Sequence, residues 1–253
     1  AFLFRKPIYL WYTGVSANRD LRLAVRFCRK VFTAHEAAMR VDTPKRVVVG
    51  HGINTERFKP QEGKFKLGNE IAILSVGRIT PSKGHGLIIE AAADLINQGH
   101  NLRLEIIGGV IQPRHEIYQK RLKKIAIELG IAHRVEFLGA TPYAEMPHHY
   151  GHAQILINAV PYGGLDKVVL EAMASHVVPL TSNTAFINVF PQKSGADLIF
   201  REGSAEDLKN KLKGILDGKL YANDSLCREL RNIVVANHNL DNLIDRITKE
   251  MSL

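Results

Sequence analysis

The chain has 253 residues, which at roughly 150 residues per domain predicts between one and two domains. Hydrophobic residues make up 45% and charged residues 23%, ordinary globular usage that excludes disorder, a collagen-like repeat and a coiled coil. Lys and Arg number 34 against 25 Asp and Glu, a net charge of +9 that favours polyanionic partners (phosphates, nucleic acid, acidic lipid surfaces) without choosing among them.

Cys28 and Cys227 lie far apart in sequence, which is no disulfide framework and suits a reducing compartment. No stretch reaches the roughly 18 consecutive apolar residues of a membrane helix. Ala1 to Trp11 is aromatic but broken by Arg5, Lys6 and Pro7, and shows no signal-peptide pattern. The expected location is cytoplasmic.

In chain order, short β-rich apolar runs alternate with segments of helical period, the pattern of an α/β fold with a mostly parallel sheet. Strands are expected at Ile8 to Tyr12, Lys30 to Thr33, Arg46 to Gly50, Ile71 to Val76, Leu102 to Ile107, Val135 to Leu138, Ile155 to Asn158 and Val177 to Thr181. Helices are expected at Leu87 to Gln98, Tyr118 to Leu129, Tyr143 to His149, Asp166 to Ser175 and Ala205 to Leu216, with an amphipathic helix over Asp241 to Met251. The strands are continuously apolar, which implies burial on both faces. The polar stretch Lys59-Pro60-Gln61-Glu62-Gly63-Lys64 reads as part of a linker over 59–69. It separates a small segment, 1–58, from a full α/β domain over 70–236, with the last helix in 237–253.

Two segments carry chemistry. The first, Ser75 to Gly84, is a strand end followed by Gly77, Arg78, Lys83 and Gly84 before a helix. Ligands in open α/β sheets bind at the carboxyl ends of strands. Arg offers a planar fork to phosphate oxygens and Lys a mobile point charge. The plainer alternative is a solvated basic loop. The second segment is Pro161-Tyr162-Gly163-Gly164-Leu165-Asp166-Lys167-Val168-Val169-Leu170-Glu171-Ala172-Met173-Ala174. Its glycines let a ligand approach the backbone, and the N–H groups at the helix start attract phosphate. Glu171, on the second turn, is placed to accept hydrogen bonds from sugar hydroxyls. The alternative is a tight turn followed by a solvent-facing helix charge.

Together the segments resemble the donor-binding half of the retaining GT-B glycosyltransferases of family four. Val49 to Pro60 is similar to the family's interdomain stretch, and Gly77-Arg78 with Lys83-Gly84 to its phosphate loop. Val135-Glu136-Phe137-Leu138-Gly139 is similar to the strand and turn bordering the nucleobase, and Leu170-Glu171-Ala172-Met173-Ala174 to the signature helix. The resemblance implies a fold class of α/β, a Rossmann-like doubly wound parallel sheet, with 1–58 as the tail of an acceptor-side domain. It implies that Arg78 and Lys83 bind the donor diphosphate and stabilise the leaving group, that Glu171 holds the ribose, and that the backbone around Gly164, Leu165 and Asp166 completes the cradle. No cofactor and no metal is expected.

Two departures stand out. The family's second glutamate, eight positions before the helix one, is replaced by Gly163, and Asp166 and Lys167 are the candidates to take over its sugar contacts. The family's N-terminal domain is matched only by Ala1 to Gly50, and Gly14 stands where a histidine is often found.

Other signals weigh less. His148 and His152 have i, i+4 spacing, but no carboxylate or cysteine completes a ligand set and Gly151 is expected to end the helix. His51 reads equally as a donor contact or a hinge residue. Gly108-Gly109 lacks the full dinucleotide pattern, and the basic runs Arg114 to Lys124 and Lys209 to Lys213 read as solvated helix faces. The expected function is transfer of a hexosyl unit from a UDP- or GDP-sugar to a glycan or lipid-linked acceptor. The basic surplus suits peripheral membrane contact, and nothing beyond charge favours nucleic acid. The alternatives are a non-catalytic nucleotide-sugar-binding module and a GT-B nucleotide-sugar epimerase or hydrolase.

Overall fold

The computed structural model describes residues 6–14, 17–61, 70–161 and 163–252. Most of the expected linker, 62–69, lies outside the described residues, as do residues 1–5 and Tyr162.

Two parallel sheets form. The first contains β1 (Tyr9–Trp11), β2 (Lys30–Thr33) and β3 (Arg46–Val48) in that spatial order, with Tyr9 opposite Lys30 and Val31 opposite Arg46. The crossover from β1 to β2 is α1 (Arg19–Phe27). Asn18 starts it by accepting the Leu21 N–H at 2.9 Å, and Leu21 and Val25 pack with Val31, Met39 and Val41.

The second sheet contains β4 (Ile71–Val76), β5 (Leu102–Ile107), β6 (Val135–Gly139), β7 (Ile155–Asn158) and β8 (Val178–Thr181). Its spatial order is β6-β5-β4-β7-β8 with every pair parallel. This is the expected doubly wound sheet, and the helices on its faces explain why β7 is buried along its whole length and apolar up to Asn158 at its end. The helices are α2 (His85–Asn97), α3 (Pro113–Glu128), α4 (Met146–His152), α5 (Lys167–Ala174), α6 (Ala205–Asp217), α7 (Asp224–Asn237) and α8 (Leu240–Ser252). The chain steps outward from β4 to β5 to β6, then returns to β7 on the other side of β4. The crevice at the carboxyl ends of β4 and β7 is therefore the topological switch point, where such sheets bind ligands.

Three expectations are corrected. Residues 224–237, assigned no helix from sequence, form α7, started by Asn223 accepting the Leu226 N–H at 3.1 Å and fixed inward by Leu226, Cys227, Leu230 and Val234. The helix expected from Tyr143 begins at Met146, with Pro147 in its first turn, leaving Tyr143 in the preceding loop. Gly151 does not end that helix, which runs on to His152. Gly151 lies against the end of the exposed Gln61 side chain.

Helix α8 leaves the second sheet and packs on the first. Leu243 and Ile247 meet Phe32, Val47 and Val49, Arg246 Nη1 donates to the Val49 carbonyl at 3.1 Å, and Lys30 Nζ pairs with Glu250 at 2.8 Å. In the turn that follows β3, Phe58 is fully buried in the core of the second sheet. Arg231 on α7 secures this turn by donating to the carbonyls of Thr55, Phe58 and Ala174.

Candidate functional site

The loop after β4 is held by its neighbour strand. Gly77 N–H donates to the Ile107 carbonyl at 2.8 Å and Ile79 N–H to the Gly109 carbonyl at 3.1 Å. A Cβ on Gly108 would stand 1.8 Å from the Gly77 carbonyl oxygen, so only glycine lets the two strand ends meet. Gly108→Ala is expected to destabilise the fold by roughly 2–3 kcal/mol in chemical denaturation, and unchanged stability would contradict this close approach. Gly84 ends the loop at φ +66°, where a Cβ would lie 2.6 Å from that of Ala159.

Arg78 is exposed, and the half-buried Lys83 runs its stem across Gly77. Both line a cavity of about 390 Å³ over the switch point, with Gly84, Ala159 and Pro161, and with Glu202 among its walls. Among the described residues neither cation forms an ion pair. The buried ring of His85 fixes the Arg78 backbone, with Nε2 3.3 Å from the Arg78 carbonyl and Nδ1 3.1 Å from the Ser75 hydroxyl. A carbonyl only accepts, so Nε2 carries the proton and Nδ1 accepts from Ser75. Burial lowers the His85 pKa and keeps the ring neutral.

The loop after β7 is tied down by β7 and β8. Asn158 Nδ2 donates to Asp166 Oδ2 at 3.1 Å, and Asn158 Oδ1 accepts from Thr181 Oγ1 at 2.9 Å. Asn183 Nδ2 donates to the Gly164 carbonyl at 3.0 Å. Turned toward Asn158, the Asp166 side chain does not cap α5. The first N–H groups of α5 therefore lack a side-chain cap, the arrangement that attracts an anion.

Glu171 is no solvent-facing charge. It is 3% exposed, and its carboxylate accepts from Tyr143 (Oε1, 3.0 Å) and Tyr150 (Oε2, 3.0 Å). Burial raises its pKa, opposed by those hydroxyls and by Lys167. Glu171, Gly77 and Arg78 line a second cavity of about 320 Å³ with Gly108, Gly109, Ala140, Thr141, Tyr143 and Val168. Arg78 borders both cavities.

Gly163 stands apart from them. It lines a third cavity of about 370 Å³ with His35, Glu36, Arg40, Thr184 and Asn188, and its φ of +132° would strain any side chain. Leu165 is buried. Its backbone meets the ring of His51, whose pKa is lowered to about 4 by burial and then by the charge of Lys167. His238 is also lowered to about 4, by burial and then by His51, Arg246 and His35. Both rings are buried with Nδ1 lacking a hydrogen-bond partner.

Of the residues singled out from sequence, Lys83 lines the first cavity, Gly77 and Glu171 line the second, and Arg78 lines both. Gly164, Leu165, Asp166 and Lys167 form the adjoining loop. Gly139, at φ +75°, supports the Gly108 N–H at 2.8 Å while its neighbour Ala140 lines the cavity. Sequence reasoning missed His85, Asn158, Asn183, Tyr143, Tyr150 and His238. Only His85, next to the basic loop, carried a local signal. The rings of His148 and His152 lie 4.4 Å apart between centroids, yet among the described residues no group of three or more His, Cys, Asp or Glu could hold a metal. Also among those residues, no helix is long and apolar enough to cross a membrane.

Known proteins resemble this chain in sequence and in fold. The model of the family described as glycosyl transferases group 1 matches residues 55–244, and the chain belongs to that family. It is 27% identical over 149 residues to a GDP-mannose-dependent alpha-(1-6)-phosphatidylinositol monomannoside mannosyltransferase of Mycobacterium tuberculosis, covering 53% of this chain and 37% of that protein. It is 28% identical over 199 residues to a D-inositol 3-phosphate glycosyltransferase of Nocardia farcinica, covering 73% and 44% respectively. The chain thus spans less than half the length of these relatives. Among solved structures, Anabaena Alr3699/HepE in complex with UDP and glucose superposes with a TM-score of 0.83 at 17% identity over 99% of this chain and 73% of that one. That likeness shows the fold, a Rossmann-like GT-B arrangement.

Proposed function

We propose that the protein is a retaining glycosyltransferase that transfers a hexosyl unit from a UDP- or GDP-sugar to a glycan or lipid-linked acceptor, with this chain carrying mainly the donor-binding half. One observation carries the reading: Arg78 and Lys83 converge on the switch-point crevice, and Arg78 also borders the cavity that holds Glu171. Arg78 and Lys83 hold the diphosphate and neutralise the charge that develops as it leaves, together with the uncapped N–H groups at the start of α5. Gly77, Ala140 and the backbone at Gly139 border the base, and Glu171 receives the ribose. No metal or cofactor is required, since these cations do the neutralising.

Asp166 and Lys167 contact the donor sugar in place of the family glutamate that Gly163 replaces, because the backbone at Gly163 disfavours any side chain. The chain accordingly divides into 1–58, 59–69, 70–236 and 237–253: a tail of the acceptor-side domain, a linker, the donor domain and a returning helix. The setting is cytoplasmic. The net charge of +9, together with the basic helix α3, its exposed Ile117 and the exposed Ile111 just before it, supports peripheral contact with an anionic membrane, and no nucleic acid partner is proposed.

Gly163 also favours a second reading, a nucleotide-sugar-binding module without catalysis. The test is release of nucleoside diphosphate from GDP-mannose and UDP-glucose, with and without lipid-linked glycan acceptor. Acceptor-dependent release is expected; acceptor-independent release would favour a hydrolase or epimerase, and binding without release the module. Asp166→Asn, which keeps a partner for Asn158, is expected to weaken sugar-nucleotide binding roughly tenfold while sparing the bare diphosphate. Equal affinities for both ligands in wild type and variant would exclude the sugar contact.

A further inference from the structure

Glu171 has two hydroxyl donors of opposite character, and the role inferred for them rests on the assignment of Glu171 to the ribose. Tyr150, in α4, is fully buried and donates to Oε2 from within the core. Tyr143, in the loop after β6, is 53% exposed, lines the cavity itself and donates to Oε1. Its ring is gripped from the turn that joins the two sheets, with the Arg57 guanidinium 5.4 Å above it and the Phe58 ring centroid at 5.5 Å. The carboxylate is otherwise enclosed, so a ribose hydroxyl approaching from the cavity meets the Tyr143 hydroxyl at the same oxygen. Burial and the neighbouring carboxylate raise the Tyr143 pKa, so the phenol stays protonated and a donor.

We propose that Tyr143 is a latch on the donor site: its hydroxyl occupies Glu171 Oε1 in place of a ribose hydroxyl, and a nucleotide must displace it to bind. The half-exposed ring has solvent to swing into, whereas Tyr150 is locked and keeps the carboxylate oriented in both states. Arg57 and Phe58 set how firmly the latch closes, which links the interdomain turn to nucleotide affinity. The device makes binding weaker than the site permits, because part of the ribose interaction replaces a bond already made.

The test is calorimetric titration with GDP and UDP, and with their 2′,3′-dideoxy forms. Tyr143→Phe leaves Oε1 short of a donor only in the free protein, so it is expected to bind the ribonucleotide roughly tenfold more tightly, with no gain for the dideoxy form. Tyr150→Phe is expected to bind more weakly. Weaker or unchanged binding by Tyr143→Phe, or an equal gain for the dideoxy form, would overturn the latch while leaving Glu171 as ribose ligand. Failure of the underlying assignment reads differently: Glu171→Gln would then leave the wild-type affinity unchanged, and the latch would fall with it.

Discussion

Replacing Arg78 with alanine is expected to weaken nucleoside diphosphate binding by roughly one to two powers of ten, the loss of charge-assisted hydrogen bonds worth about 1.5–3 kcal/mol. The reason is geometric. Arg78 sits at the carboxyl end of β4, its backbone is pinned by His85, and it borders both the 390 Å³ and 320 Å³ cavities. A ligand spanning them places its diphosphate beside that side chain. The side chain is exposed and forms no ion pair among the described residues, so its removal should leave thermal stability within about 0.5 kcal/mol. Lys83→Ala is expected to cost less and to depend more on salt, because an ammonium acts as a point charge without the guanidinium fork. Arg78→Lys should restore only part of the affinity. All three substitutions are read by titration at fixed ionic strength, and an Arg78→Ala variant that binds as wild type would remove the diphosphate from this crevice.

Acidification is expected to destabilise the protein between about pH 6.5 and pH 4, with His51 and His238 responsible. Their ordinary pKa is 6.5 and each is lowered to about 4 in the fold. Below pH 6.5 the unfolded chain therefore binds protons that the folded chain refuses. Stability is fully present above the unfolded value and is lost as pH falls toward the folded value, by a few kcal/mol over both rings. The groups facing them are Lys167, Arg246 and His35, all unfavourable to a new positive charge. Glu171 works in the opposite sense: its pKa is raised, so protonation relieves its burial cost at low pH and offsets part of the loss. The measurement is the urea midpoint from pH 7.5 to 4.5 in wild type and in His51→Gln with His238→Gln. The variant profile should be flatter, whereas identical steep profiles would place the acid sensitivity elsewhere. Since His51 meets the Leu165 backbone, nucleotide affinity should fall over the same range.

Much of the fold was legible because its signals are local. The strands lie close to their expected limits, since continuous apolar runs bounded by Gly and polar residues have few other solutions in a parallel sheet. The basic loop and the glycine-rich turn were legible for the same reason. Helix α7 was not, because its inward residues are spaced among Arg, Glu and Asn. The C-terminal end of α4 was misjudged because Gly151, a residue type that often ends helices, sits inside its last turn. The same holds for the site. Arg78, Lys83 and Glu171 announce themselves by residue type beside a turn. Tyr143, Tyr150, Asn158 and Asn183 reach the site through partners 8 to 28 residues away, and the His51–His238 pair joins residues far apart in the chain. Glu171 shows the difference most clearly: its position on the helix is legible, but its burial under two tyrosines is a property of the assembled core.

The most direct measurement of the central claim is calorimetric titration of this chain with UDP, GDP and ADP. Saturable binding is expected that prefers one of the three and is weakened by Arg78→Ala and by Lys83→Ala. Absence of binding to all three, or binding indifferent to both substitutions, would contradict the assignment of the β4–β7 crevice as the donor site.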